Sequence, residues 1–285
     1  MSEISDFKSG PFGLFVQGPT YTSSYTGTAT PPGPGLLAAQ GDYSLDTLCG
    51  VKFSTTDGRT VAVVRNAATA IGSNKLVQGP AEVTAHEKLA MTVPTAYPAT
   101  AGSYQVLVTN GATVLNENYF RGGQLIVASG TGLGQTLQIA SHQPAAASAT
   151  FVVTLTDPIQ TTLDATSKIS LVFNQYVRVA ITDHSTLGCP IGVTAYAIPA
   201  STASTYDGTS GALTVQGTPQ YAFVVTHGVT GCLVDSTVTN VGYPLGRSAA
   251  TDGAVGVATL TTVAAVGTSV QTLTSAQYGP IYLNL

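Results

Sequence analysis

Lys168-Ile169-Ser170-Leu171-Val172-Phe173-Asn174-Gln175-Tyr176-Val177-Arg178-Val179-Ala180-Ile181-Thr182 is the stretch on which the reading of the fold turns. Ile169, Leu171 and Phe173 alternate with Ser170 and Val172, and a period of two places one set on one face of a strand. The alternation breaks at Asn174-Gln175 and resumes with Val177, Val179 and Ile181. Such an interruption marks a bulge or bend, as at a barrel corner. A helix would need apolar residues three and four apart, and they are not there.

Strand signals of the same kind lie on both sides. Residues 51–54, 60–64, 104–109, 124–127, 135–139 and 151–156 read as strands upstream, and 213–216, 220–226, 255–260, 270–274 and 280–285 downstream. Asp57-Gly58 and Asn110-Gly111 supply the positive φ that tight hairpin turns require. Residues 81–91 are the one place where a short helix is expected. Short strands spaced by Gly, Pro and Asp indicate a β-sandwich or β-barrel. No strict repeat occurs, which disfavours a solenoid.

Composition agrees. The 285 residues include 31 Gly, 15 Pro and 43 Thr, but no Trp, and only 8% are charged. Abundant β-branched residues with few good helix formers favour strands. The fold class is therefore all-β. A small β-rich subdomain is expected over 36–115 and a larger barrel or sandwich over 116–285. Residues 1–35 differ, running through Gly18-Pro19 to Pro31-Pro32-Gly33-Pro34-Gly35 without apolar periodicity. Such a segment is a linker or an arm that orders on a partner. Phe12, Phe15, Tyr21 and Tyr25 favour the arm, because a spacer has no use for aromatic anchors.

Charge excludes more than it assigns. Ten basic residues against 14 acidic ones give a net charge of -4, the wrong balance for a nucleic-acid binder. Nine of the ten basic residues fall within 1–178, so an acidic partner would meet the first two thirds of the chain. No run approaches 18 apolar residues, so no membrane span is expected. Met1–Asp6 has neither a basic n-region nor an apolar h-region, so no secretory signal is expected. Cys49, Cys189 and Cys232 are widely spaced and read as small buried hydrophobes, with a Cys189–Cys232 bridge as the alternative.

Each catalytic pattern fails on spacing. Gly130-Thr131-Gly132-Leu133-Gly134 leads into an alternating strand, whereas a dinucleotide loop must open a helix. It reads as a glycine-rich β-turn. His86-Glu87 begins a zinc-protease motif, but Ala90 stands where the second His is needed. Asp183-His184-Ser185 cannot form a relay, because neighbours on a strand point to opposite faces. His86, His142, His184 and His227 are too far apart for a motif, and most of them read as surface or turn residues. No catalytic residue, cofactor or metal site is expected, and the chain reads as a non-enzyme.

A surface so short of charge is a solubility hazard unless much of it faces neighbours or Thr, Ser, Asn and Gln hydrate it without charge. Obligate interfaces are depleted of charge in this way. At this point a resemblance enters. The block Asn118-Tyr119-Phe120-Arg121-Gly122-Gly123-Gln124-Leu125-Ile126-Val127, followed by Gly130–Gln135, Ile139 and His142, resembles virion structural proteins of tailed bacteriophages, namely capsid decoration or cement proteins. The similarity takes in the stretch from Gly79-Pro80 to Leu107–Ala112, Asp157-Pro158-Ile159, Asn174-Gln175-Tyr176, Gly192-Val193, Gln220–Phe223 and Pro280–Leu285, roughly residues 60–285. One departure is Tyr221-Ala222-Phe223, where Tyr-Gly-Trp is expected.

The resemblance implies a β-rich subunit on the outside of a phage head, assembled in the host cytoplasm. Such subunits are often trimers that bridge neighbouring major capsid proteins. It implies that residues 1–35 lie along the capsid, with Phe12, Phe15, Tyr21 and Tyr25 as docking anchors. Two alternatives stay open: a receptor-binding or fibre-tip adhesin, and another virion structural protein such as the capsid subunit itself. The last lacks the long amphipathic spine helix it would need.

Overall fold

The computed structural model describes residues 36–37, 46, 48–86, 91–97, 99–184, 188–258 and 265–285. They are all-β, as the alternation implies, and hold a closed barrel, a large sheet and a two-stranded hairpin. Strands are numbered along the chain.

The barrel comprises β5 (Met91–Thr92), β6 (Gln105–Thr109), β7 (Gln124–Ser129), β8 (Thr136–His142), β9 (Thr150–Leu155) and β10 (Lys168–Val172). The strands close in the order β10-β5-β6-β9-β8-β7, and every pair is antiparallel. Alternate residues point inward. Ile169 faces Val127 and Leu171 faces Leu125 across β10 and β7, while Val106 and Val108 oppose Val153 and Phe151 across β6 and β9. All eight are buried. Each such side chain contributes about 1.5–3 kcal/mol of transfer free energy, and closure gives every strand two neighbours, although the two-residue β5 meets β6 at Thr92–Thr109 alone.

The large sheet is built from β1 (Leu36–Leu37), β2 (Lys52–Ser54), β3 (Thr60–Asn66), β4 (Leu76–Gln78), β11 (Val177–Ile181), β12 (Pro190–Thr194), β15 (Gln220–Val234), β16 (Pro244–Arg247), β17 (Ala254–Val257), β18 (Ala265–Ser269) and β19 (Gln277–Asn284). Its centre is the 15-residue β15. The first half of β15 pairs with β3 on one edge and β12 on the other, and β12-β4-β11-β3 completes a circuit. The second half pairs with β19 and β17, and β19-β18-β16-β17 completes another. Ala62, Val64, Val77, Val179 and Val224 fill a core with strands of the first circuit. Val234, Leu245, Val255, Val266 and Ile281 fill one with strands of the second. The hairpin β13 (Thr205–Tyr206) and β14 (Leu213–Val215) pairs with neither.

The barrel is nested inside the sheet sequence. The chain leaves the sheet after β4, builds the barrel, and returns through Asn174-Gln175 as β11, which pairs antiparallel with β4. The interruption in the opening stretch is thus a crossing from one β system to the other. At this junction a Cβ on Gly79 would lie 2.9 Å from the Gln175 carbonyl oxygen, so only glycine allows the two passes to lie so close.

The strand grouping differs from the expected division at 115/116. That boundary falls between β6 and β7, both of which belong to the barrel. Sequence order groups neighbours, and an insertion breaks that order in space. The expected helix over 81–91 is also corrected. Residues 81–86 form loop and turn, and Met91 opens β5, while 87–90 lie outside the described residues. Residues 270–274 carry no strand, and the strand of that region is β18.

Candidate functional site

The arm residues Phe12, Phe15, Tyr21 and Tyr25 lie outside the described residues. The sites that can be built from the described residues are elsewhere.

A cleft of about 520 Å³ opens where the barrel, the sheet and the β13–β14 hairpin meet. Arg65 and Asn66 come from the end of β3, Arg178 from β11, and Glu117, Asn118, Tyr119 and Arg121 from the loop before β7. Ser201 to Ser204 and Tyr206 close the far side. The walls are tied together: Glu117 N–H donates to the Gly211 carbonyl at 3.0 Å, and Asn118 Oδ1 accepts from His142 N–H at 3.0 Å.

Arg178 is held unusually. Val177 pairs with Arg65 and Val179 with Asn66, so the intervening residue bulges out of the ladder, and its φ is +65°. A non-glycine residue in that region costs about 1–2 kcal/mol. The bulge aims the guanidinium at the barrel, where it lies 4.0 Å from the centre of the Tyr119 ring and 5.9 Å from that of Phe173. Its Nη1 is buried and has no hydrogen-bond partner among the described residues. Asn66, 2% exposed, donates to the Thr69 and Pro199 carbonyls, while its Oδ1 likewise has no partner there. Arg121 is exposed beside them.

One carboxylate in the cleft is already engaged. Asp46 Oδ1 lies 3.0 Å from Arg65 Nε and accepts from the Tyr221 hydroxyl at 2.8 Å. Burial raises the Asp46 pKa above the usual carboxylate range, against the opposing pull of Arg65, the Tyr221 hydrogen bond and Arg121.

The histidines divide into two kinds, and His142, buried at the end of β8, departs from the surface or turn reading. His86 and His142 are buried at one end of the barrel around Phe120. His142 Nε2 accepts from the Phe120 N–H at 3.0 Å, and Nδ1 lies 2.9 Å from the Gln143 carbonyl oxygen, an arrangement that suits the neutral ring. Burial pushes the His142 pKa down to about 4. His184 stays exposed beside Asp252, whose Oδ1 accepts from the His184 backbone N–H at 3.0 Å and lies 2.8 Å from its Nδ1. With Asp183 these form the one His/Asp group among the described residues whose ligand atoms lie close enough for a cation. Their mutual hydrogen bonds read as a loop staple. Asp252 is 68 residues from His184, so no local motif could have announced it.

The glycine-rich segment is the β7–β8 hairpin turn, as its sequence implies. Gly130, Gly132 and Gly134 all have positive φ, and no helix follows them. Cys49 and Cys232 are buried and Cys189 is exposed, and all three thiols are free. The Cys189–Cys232 bridge is therefore not made. Tyr221 is fully buried, and Phe223, in the place expected to hold Trp, packs edge-on to Phe53 at 6.3 Å.

The outer face of β19 and β15 presents aromatic and aliphatic side chains, with the Lys75 ammonium 5.6 Å from the centre of the Tyr278 ring. Tyr278 and Tyr282 on β19 and Val229 on β15 are exposed, and Val229 pairs directly with Tyr282. His227 Nε2 lies 3.1 Å from the Tyr282 hydroxyl. Among the described residues no helix is long and apolar enough to cross a membrane. Comparison of the chain with protein-family models, with curated proteins and with solved structures finds no match.

Proposed function

We propose that the chain is a non-enzymatic virion structural protein, a decoration or cement subunit that coats a bacteriophage head and bridges its major capsid proteins. The observation that carries this reading is the outer face of β19 and β15, where Tyr278, Tyr282 and Val229 stand exposed with Lys75 as the charged neighbour, over the Tyr278 ring. A chain with 8% charged residues that still exposes aromatic side chains on a sheet is suited to burial against neighbours. Stabilisation would follow from mass action, because the subunit binds the assembled lattice and not free capsid protein. A homotrimer with residues 1–35 as a docking arm fits the same reading.

The test is addition of the purified protein to heads that lack it, read by imaging and by bound copies per head. Hundreds of copies on the shell are expected. Y278D/Y282D is expected to fold yet lose occupancy, and so is a deletion of residues 1–30. Full occupancy of the deletion variant would sink the arm with Phe12, Phe15, Tyr21 and Tyr25, and full occupancy of the double variant would sink the β19 face. A second reading, an adhesin at a fibre tip, is favoured by the polar cleft beside the barrel. It requires a few copies at a tail or fibre instead of a coat.

A further inference from the structure

The cleft between barrel and sheet gathers three of the ten basic residues of a charge-poor chain, Arg65, Arg121 and Arg178, from segments more than 50 residues apart. Chance scatter along the sequence gives no reason for that convergence; Arg65 is paired with Asp46 and Arg178 lies over the Tyr119 ring, while Arg121 is exposed. Two acidic residues, Asp46 and Glu117, share the lining. Three positive charges against two negative leave one in excess, and Asp46 is already committed to Arg65 and Tyr221.

We infer that this cleft binds an acidic sugar, a ring-sized polyhydroxylated monocarboxylate of the uronic acid type, with Arg121 and Arg178 taking its carboxylate. Four features point that way. A volume of about 520 Å³ lies within the range of small-ligand sites and holds one or two sugar rings. Contact with the Tyr119 ring at 4.0 Å holds the Arg178 guanidinium in place, and a pre-positioned fork suits a planar carboxylate. The buried Nη1 of Arg178 lacks an acceptor and the buried Oδ1 of Asn66 lacks a donor among the described residues, and a small shift of either would let a carboxylate and a hydroxyl complete them. Asn116, Glu117 and Thr202 add hydroxyl- and amide-binding chemistry to the lining, beside the apolar Ala67, Ala68, Leu213 and Pro219.

Charge selects among anions. A monocarboxylate balances the single excess positive charge, whereas a phosphate dianion overshoots it and meets Glu117 as well. A run of acidic side chains would be repelled by Glu117 and Asp46 for the same reason. The inference is independent of the capsid reading, since a coat subunit and a fibre-tip subunit could both carry such a site.

The test uses the full chain, with amide chemical shifts followed while D-glucuronate, D-glucose, inorganic phosphate and a short oligoglutamate are added separately. Saturable glucuronate binding is expected, with shifts confined to the cleft and glucose weaker by about tenfold or more. R121Q is expected to weaken glucuronate by a similar factor, and K52Q, on the exposed β2, to leave it unchanged. Arg178→Gly is the second variant, because a φ of +65° suits glycine and the chain should fold without the guanidinium. Equal affinity for glucose and glucuronate, preference for phosphate or oligoglutamate, unaltered binding in R121Q, or no saturable binding of glucuronate would each overturn the assignment.

Discussion

The Tyr221 hydroxyl donates to Asp46 Oδ1 at 2.8 Å across 175 positions of chain, and Asp46 in turn pairs with Arg65 at the rim of the cleft. Tyr221 is fully buried, so its hydroxyl must have a partner. Burial and the neighbouring Asp46 charge raise the phenol pKa, which keeps the ring neutral and donating. Tyr221→Phe leaves Asp46 with one fewer donor. It should destabilise the protein by about 1.5–3 kcal/mol, the usual value of a hydrogen bond to a charged group. Denaturant midpoints at pH 7 measure it, and a change near zero would mean that Arg65 alone satisfies the carboxylate.

His142 makes stability depend on pH. Its folded pKa near 4 lies below the ordinary value of 6.5, so between these values the unfolded chain binds more protons than the folded one. Stability is therefore complete above about pH 6.5 and falls as the pH drops towards 4. The loss amounts to about 3 kcal/mol at one pKa unit per 1.36 kcal/mol. His86, lowered by its own burial, acts in the same direction. Unfolding free energies from pH 7.5 to 4 should slope accordingly. The slope should be shallower in His142→Asn, whatever the absolute stability of that variant.

The hairpin turn before β8 offers a paired comparison. Gly130 and Gly134 both have positive φ, +81° and +88°. A Cβ on Gly130 would lie 2.0 Å from the Thr166 carbonyl oxygen, while one on Gly134 would meet nothing within 4 Å. Gly134→Ala should cost about 1–2 kcal/mol from backbone conformation alone. Gly130→Ala should cost clearly more, because the β7–β8 turn must also move away from residue 166. Thermal melting of the two variants gives the order, and equal losses would contradict the close approach.

Thiol chemistry reports the cores. Burial pushes the Cys232 thiol up to about 12 and raises that of Cys49 as well, and buried thiols are inert. The native protein should therefore release one equivalent of colour with a thiol reagent, from Cys189, and three on denaturation. Rapid reaction of a second thiol without denaturant would mean that one of the two buried cysteines is transiently opened.

Period-two alternation made the individual strands readable, because barrel residues such as Ile169 and Leu171 face a core on one side only. Where burial is two-sided the signal fails. The sequence around Gly228 and Gly231 looks like a turn, yet β15 runs through it to Val234. Gly228, at φ +100°, sits where β15 passes from β3 to β19, so the glycine marks a bend within a strand. Nesting of the barrel between β4 and β11 has no local signature at all. The cleft was only half legible. The crowding of basic residues into the first 178 was plain, but the meeting of Arg65, Arg121 and Arg178 depends on pairings that only the folded chain makes.

β15 also sets how the molecule can come apart. One continuous strand supplies a wall to both circuits, so neither circuit can open without stripping partners from the other, and the sheet should melt as one cooperative block. The barrel shares no strand with that block and is covalently joined to it through two adjacent passes at Gly79 and Gln175. Amide exchange should accordingly resolve two protection classes, one for the barrel and one for everything threaded on β15.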